Sequence, residues 1–258
     1  MTSGIRIGSG LATSEPSTFY EGLWEHVRAH DIHDLDIIQG LFLAPHPILV
    51  GDALGVPHPT LPGPLAKVAN AIADARSLRR LARHLDELGR RQIVFTSAFL
   101  GPVTSPMVPD TPITRLLAPR LAGRNRVTAG YTRYHPVHFP DAVSALATDD
   151  AGRLTIDLFV QPMTWPDTRQ RLSFGMSNGV NGSVVESLLA GDTGHLLLYL
   201  NARLPFTTGP GNTLPVDGLR TLADGGRLTV VVEDTLVPAC RRAALMIRPR
   251  SRSRSPTT

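Results

Sequence analysis

The chain has 258 residues, a mean hydropathy of −0.00 and a hydrophobic fraction of 42%. These values are typical of a soluble globular protein with one large domain or two small ones. Its single cysteine, Cys240, excludes an internal disulfide and a cysteine-rich zinc site. The sequence predicts neither a membrane span, because no apolar run reaches about 18 residues, nor a signal peptide. A cytoplasmic protein is therefore expected.

The formal net charge of +4 comes from the C-terminal end of the sequence. Residues 239–258 contain six arginines and no acidic residue, and their removal leaves a net charge of −2. A slightly acidic body argues against nucleic acid as the main partner. We expect residues 239–258 to be a disordered Arg/Ser-rich tail, and we interpret it as a non-native end created by a frameshift or a truncation. RNA binding by this tract is the alternative.

Short β-branched runs alternate with helical segments along the chain, which predicts an α/β fold with a mostly parallel sheet covered by helices. The helices are expected from about Pro16, with Ser14 as the cap, and over 65–89 and 180–189. Residues 44–64, rich in Pro and Gly, are expected to be irregular. The predicted strands cover residues 5–7, 35–43, 92–96, 155–160, 195–200 and 227–233. A single domain is predicted over residues 1–238.

Two glycine motifs offer weak functional signals. Gly8-Ser9-Gly10 lies between a predicted strand and a helix, where backbone N–H groups can hold a phosphate, but Thr13 stands where a third glycine is needed. A plain tight turn is the favoured interpretation. The sequence from Gly175 to Gly179 matches the G-x-S-x-G pattern of serine hydrolases around Ser177. Only His195 follows it, too close along the chain for the usual triad topology, so a hydrolase of this type is disfavoured.

Three histidines, His26, His30 and His33, lie close together among aspartates. The zinc-protease pattern requires a glutamate directly after the first histidine, where Val27 stands. We therefore interpret this group as a solvated helix end and predict no metal site.

Six groups of segments follow one another between about residues 5 and 238. They are Ile7 to Gly10 with Ser14 to Pro16 and Gly22-Leu23; Leu35 to Gly40; Ser97 to Gly101; Thr155 to Met163 with Leu172 to Gly175; Leu198 to Pro205 with Gly209; and Leu214 to Asp217 with Val231 to Asp234. In this order and spacing they resemble the N-terminal domain of the acetyl-CoA hydrolase/transferase family, which includes 4-hydroxybutyrate and butyrate CoA-transferases.

The resemblance implies a CoA-transferase/NagB-like fold and an enzyme that exchanges CoA between an acyl-CoA and a small carboxylate, or water, through a glutamyl-CoA intermediate. Coenzyme A is then a substrate, and no covalently bound cofactor is expected. The family's glutamate lies in the second half of its members, and no segment here resembles that half. We therefore assign no catalytic residue and expect the chain alone to be inactive. The expected partner is the missing C-terminal domain or another copy of the chain.

The same resemblance implies a set of CoA-binding positions, which we expect to line an exposed face towards the second half. They are Ser9, Gly10, Ser97, Phe99, Met163, Phe174 and Asn201. One departure affects this set, because the family's Ser-Pro-Met-Asp becomes the segment from Gln161 to Thr164. The alternative to an enzyme half is a non-catalytic α/β module that binds a partner chain or a CoA-like ligand.

Overall fold

The computed structural model describes residues 4–10, 15–39, 46–51, 75–97, 132–138, 141–175 and 178–233. The strands in these ranges are β1 (Ile5–Ser9), β2 (Leu35–Gln39), β3 (Val94–Ser97), β4 (Thr132–Tyr134), β5 (Leu158–Thr164), β6 (Arg171–Ser173), β7 (His195–Asn201), β8 (Thr213–Pro215) and β9 (Leu228–Glu233). The helices are α1 (Ser17–Ala29), α2 (Pro47–Val50), α3 (Ala75–Arg91), α4 (Ala142–Leu146), α5 (Asn181–Ala190) and α6 (Arg220–Asp224), the last preceded by a 3-10 turn at Val216–Leu219.

Seven strands form one parallel sheet in the order β4-β3-β2-β1-β5-β7-β9. The remaining two strands, β6 and β8, form a separate antiparallel ribbon. Parallel strands require crossover connections, and here these include α1, α3 and α5. The predicted α/β architecture with a mostly parallel sheet is confirmed.

Helices cover both faces of the sheet, so the protein has two apolar cores. The first core joins α1, α2 and α3 to one face through residues such as Val27, Ile37 and Leu88. The second core joins α5 and α6 to the other face around Phe159 and Leu196. Burial on both faces explains why the strands read as nearly continuous apolar runs in the sequence.

Several strand boundaries differ from the prediction by one to four residues, and two of the differences bear on the site. β1 continues through Ser9, so Gly8 and Ser9 belong to the strand and not to a turn. Gly8 is needed there because a Cβ would lie 2.6 Å from the Ile156 side chain. β5 runs from Leu158 to Thr164 and so includes Pro162, although the prediction ended the strand at residue 160. Pro162 is tolerated because it lies beyond the end of β1 and interrupts no hydrogen bond to that strand.

Other differences concern short elements. The helix α2 lies within the segment that was expected to be irregular, and the short elements β4, α4, β6, β8 and α6 were not predicted. The predicted helix from residue 65 is described only from Ala75, and the tail from residue 239 lies outside the described residues. None of the described helices is long and apolar enough to cross a membrane.

Candidate functional site

The direction of chain winding reverses between β1 and β5, which is where ligands bind in open α/β sheets. From β1 the described strands continue through β2 and β3 to β4 on one side, and β5, β7 and β9 lie on the other. The crevice outside the carboxyl ends of the strands at such a point is the usual ligand site. A ligand site is therefore expected at the carboxyl ends of β1 and β5.

Buried polar residues stand at or near the carboxyl ends of the central strands. We call Ser9, Gln39, Ser97, Gln161 and Asn201 the carboxyl-edge cluster. They come from β1, β2, β3, β5 and β7 respectively, and all except the partly exposed Ser9 are fully buried. Gln39, Gln161 and Asn201 each follow directly on apolar strand residues, and that pattern is the sequence signal that could have located them. Ser9 and Ser97 carry no such signal, because Gly8 and Thr96 precede them.

The sheet forms a step at this edge. Ser9 ends β1 opposite Val160, whereas β5 and β7 continue together to the pair formed by Thr164 and Asn201. Gln161 is therefore the first residue of β5 beyond the end of β1. Gly10, which follows Ser9 and is buried, occupies the neighbouring position. The step places Gln161 and Gly10 next to each other in sequence register at the carboxyl ends of two neighbouring strands.

Gln161 has an unsatisfied hydrogen-bond acceptor. Its side chain is fully buried and its Nε2 donates to the carbonyl oxygen of Pro162 at 2.6 Å. Its Oε1 is buried without a partner among the described residues. An unpaired buried polar atom destabilises a protein by about 1–3 kcal/mol, so such atoms commonly mark a ligand or water position. The free acceptor suits a ligand that carries an N–H or O–H group.

A chain of hydroxyl and amide groups lies on the opposite side of β1. Tyr20 of α1 donates from its hydroxyl to Ser9 Oγ at 2.7 Å, and Ser9 Oγ donates to Gln39 Oε1 at 2.7 Å. Burial raises the pKa of Tyr20 above its ordinary value, against the smaller lowering effect of the Ser9 hydrogen bond. Tyr20 therefore remains a neutral donor, and the orientation of Gln39 is fixed from α1.

A buried histidine and glutamate extend this polar region. His46 Nε2 contacts Glu15 Oε1, and both side chains are almost completely buried. The His46 ring also lies 5.3 Å from the Tyr20 ring, centroid to centroid. No function was predicted for Glu15 and His46. They are 31 positions apart in the sequence, and each borders a segment outside the described residues.

The loop after β6 is fixed above the sheet by hydrogen bonds. Thr164 Oγ1 accepts from the Ser173 backbone N–H at 3.0 Å, and Ser173 Oγ donates to the Thr207 carbonyl oxygen at 2.8 Å. Phe174 is thereby held in the second core together with Met163. These two side chains pack inside the protein.

The predicted CoA-binding residues are partly brought together. Ser9, Ser97 and Asn201 end their strands at the carboxyl edge, and Gly10 and Met163 lie beside those ends. The expectation that the set lines an exposed face is wrong for five of its members, which are buried: Gly10, Ser97, Met163, Phe174 and Asn201. Phe99 lies outside the described residues. The role of the set in CoA binding stays a prediction.

The disfavoured hydrolase alternative receives no support from the structure. His195 begins β7, at the edge of the sheet opposite to the carboxyl ends, and its Nε2 lies 2.8 Å from Thr229 Oγ1. Ser177 lies outside the described residues. His26 and His30 stack on each other with ring centroids 4.2 Å apart, and no group of three metal-binding side chains occurs among the described residues.

Comparison with known proteins finds structural similarity without sequence similarity. No family model and no curated protein matches the sequence. The structure is similar to that of RipA from Yersinia pestis, with a TM-score of 0.52 and 18% identity over 92% of this chain. A mutant of RipA gives a TM-score of 0.53, also with 18% identity. The chain spans 41% of the length of both RipA chains. These matches support the α/β fold.

A third structure, 4-hydroxybutyrate CoA-transferase from Porphyromonas gingivalis, aligns with 91% of this chain and 36% of its own length. The TM-score is 0.41 and the identity is 12%, so no argument rests on this match.

Proposed function

We propose that this chain is the N-terminal half of an acyl-CoA hydrolase or CoA-transferase, and that its carboxyl edge forms one wall of the acyl-CoA site. The proposal combines the family resemblance of the sequence with the parallel fold and its switch point at β1 and β5. Exchange with a carboxylate or with water, a role in acetate metabolism, and a cytoplasmic location belong to the same proposal.

The observation that carries the proposal is the unpaired Oε1 of Gln161 at the step in the sheet. The pantetheine arm of CoA contains two amide N–H groups, which are the donors that this acceptor lacks. A hydrogen bond from one of them would satisfy Gln161 and would direct the thioester along the carboxyl edge. The family's serine at this position could make a similar contact through its hydroxyl oxygen.

Acetyl-pantetheine tests this role, because it carries the thioester and both amides but no phosphate. The Gln161→Met variant removes the acceptor while it keeps a similar volume. We expect it to weaken acetyl-pantetheine binding about tenfold, equivalent to about 1.4 kcal/mol. We also expect the free energy of unfolding to stay within about 1 kcal/mol of the native value, because the substitution removes both the unsatisfied oxygen and the Nε2 hydrogen bond to the Pro162 carbonyl oxygen. Calorimetric titration and urea unfolding measure the two effects.

The small expected change in stability makes the test specific. A variant that merely damages the fold would lose stability and binding together. If Gln161→Met binds acetyl-pantetheine as tightly as the native chain does, or if the native chain does not bind it at all, the assigned role of Gln161 is wrong.

An apolar surface at the β9 end of the sheet supports the docking of a second half. Val230 and Val232 are 47% and 66% exposed on β9, which ends the described sheet, and Trp165 after β5 is 50% exposed. A groove of about 340 Å³ between β9 and α6 is lined mainly by apolar side chains, including Leu200 and Leu228. Edge strands with exposed apolar side chains favour association.

We therefore expect residues 1–238 to self-associate when they are expressed without a second half. Val232→Lys places a charge on the edge strand and should shift the protein towards monomer in sedimentation velocity. Ile5→Lys is the matched control, because Ile5 is 47% exposed but lies at the amino end of the central strand β1, away from β9. The comparison should be repeated with residues 239–258 present, since their six arginines favour solubility. A monodisperse native monomer at high concentration without these residues would contradict the expectation.

A further inference from the structure

A second concave site lies between α1 and α3, away from the carboxyl edge. It is a hollow of about 600 Å³ whose described lining includes Arg28 of α1 and Arg80 and Arg83 of α3. We call these three residues and the space between them the arginine hollow. Its volume lies within the range of about 300–1,000 Å³ that is typical of small-molecule sites.

The positive charge of the hollow is not balanced by the described protein. Its two acidic lining residues are already engaged, since Asp86 pairs with Arg90 at 3.5 Å and Glu87 pairs with Arg91 at 3.3 Å. Arg28, Arg80 and Arg83 have no carboxylate partner among the described residues. The recorded contact of Arg28 is with an aromatic ring, its guanidinium carbon lying 6.0 Å from the centroid of the Trp24 ring. All three arginines are exposed and line the same hollow, so an anion bound there would be attracted by three positive charges.

The floor of the hollow is rigid. His84 is buried, its Nε2 lies 3.1 Å from the Ile48 carbonyl oxygen, and its ring packs edge-on against Trp24 at 4.6 Å. Gly51 approaches the same histidine with φ of +55°, and a Cβ there would lie 2.7 Å from His84 Nδ1. Only glycine permits so close an approach in this conformation. The arginines are thus mounted on fixed helices around a preformed floor.

We infer that the arginine hollow binds a small phosphorylated ligand with at least two negative charges, such as a diphosphate group. Guanidinium groups match phosphate geometry with paired N–H donors, and several of them around one hollow suit more than one phosphoryl group. The concave shape favours a small molecule over the flat surface of an acidic protein. This inference is independent of the proposed function, because it concerns another surface and a ligand that needs no thioester.

Inorganic pyrophosphate is the probe for this site. The chain has two tryptophans, so Trp165→Phe leaves Trp24, in the wall of the hollow, as the single fluorescent tryptophan. Titration of this protein with pyrophosphate at low ionic strength should give a saturable change in Trp24 fluorescence. In the same background, Arg80→Gln with Arg83→Gln should weaken binding about hundredfold, equivalent to about 2.8 kcal/mol, because two guanidinium donors to phosphate are lost.

The matched control removes two exposed arginines outside the hollow, Arg153→Gln with Arg169→Gln, and so produces the same change in net charge. The affinity of this control for pyrophosphate should lie within about twofold of that of the Trp165→Phe protein, because distant exposed charges are screened. Arg28→Lys keeps the charge but loses the planar donor pair, and about a tenfold loss is expected. This variant decides the question if the double variant of α3 does not fold. The inference is overturned if the Trp165→Phe protein shows no saturable binding of pyrophosphate. It is also overturned if the control and test variants lose the same amount of affinity, or if Arg28→Lys keeps full affinity.

Discussion

Purified protein of residues 1–258 is expected to show no hydrolysis of acetyl-, butyryl- or succinyl-CoA and no CoA transfer to acetate. The family that the sequence resembles places its nucleophilic glutamate in a second half, and nothing in this sequence resembles that half. Two glutamates do lie at the carboxyl edge, but Glu15 contacts His46 and Glu233 accepts a hydrogen bond from Thr18. Hydrogen bonding stabilises the carboxylate charge and so lowers its nucleophilicity, and Glu15 is in addition almost completely buried.

The assay should follow release of free thiol and formation of acetyl-CoA, with an intact two-half CoA-transferase as the positive control. Any turnover should be challenged with Glu15→Gln and Glu233→Gln. Turnover by the native chain that disappears in either variant, while the circular dichroism of that variant is unchanged, would show that the chain carries its own nucleophile.

Replacement of Glu15 by Leu is expected to lower the free energy of unfolding by about 3 kcal/mol. The change leaves the His46 ring buried without its carboxylate partner, and loss of one member of a buried pair typically destabilises a protein by about 3–5 kcal/mol. His46 also packs against Tyr20, so the effect should reach the first core. Urea unfolding followed by circular dichroism measures the difference.

The double variant Glu15→Leu with His46→Leu is the matched control, because replacement of both members by apolar residues leaves no unpaired polar group at this pair. It should be more stable than the single variant by about 1–2 kcal/mol or more. A single variant that loses less than about 1 kcal/mol, or a double variant that is the less stable of the two, would show that the contact contributes little.

The sequence predicts the central layout of the fold because its strands are buried on both faces. Runs such as Leu35–Gln39 and His195–Asn201 are apolar almost throughout, so their β character is visible without knowledge of the fold. The end of β5 could not be predicted in this way. Pro162 normally ends a central strand, and its tolerance depends on β1 stopping at Ser9, which is a property of register and not of local sequence.

The candidate site is less visible in the sequence than the fold. Ser9, Ser97 and Asn201 were found through the family resemblance, and their positions at strand ends agree with a shared edge. Gln161 appeared only as a departure from the family's pattern, because an unpaired acceptor is a three-dimensional property. The arginine hollow was also invisible, since the arginines on α1 and α3 look like ordinary solvated charges until the two helices pack together.

The proposal that this chain is one half of a two-half enzyme can be tested on the DNA that follows the codon for Thr258. We expect one of the three reading frames to encode a second α/β domain with a glutamate and a glycine-rich loop, the groups that would form the thioester intermediate and stabilise its oxyanion. Restoration of that frame should give a longer protein with CoA-transfer activity. Stop codons in all three frames, with no such domain encoded beyond them, would overturn the proposal and favour a non-catalytic binding module.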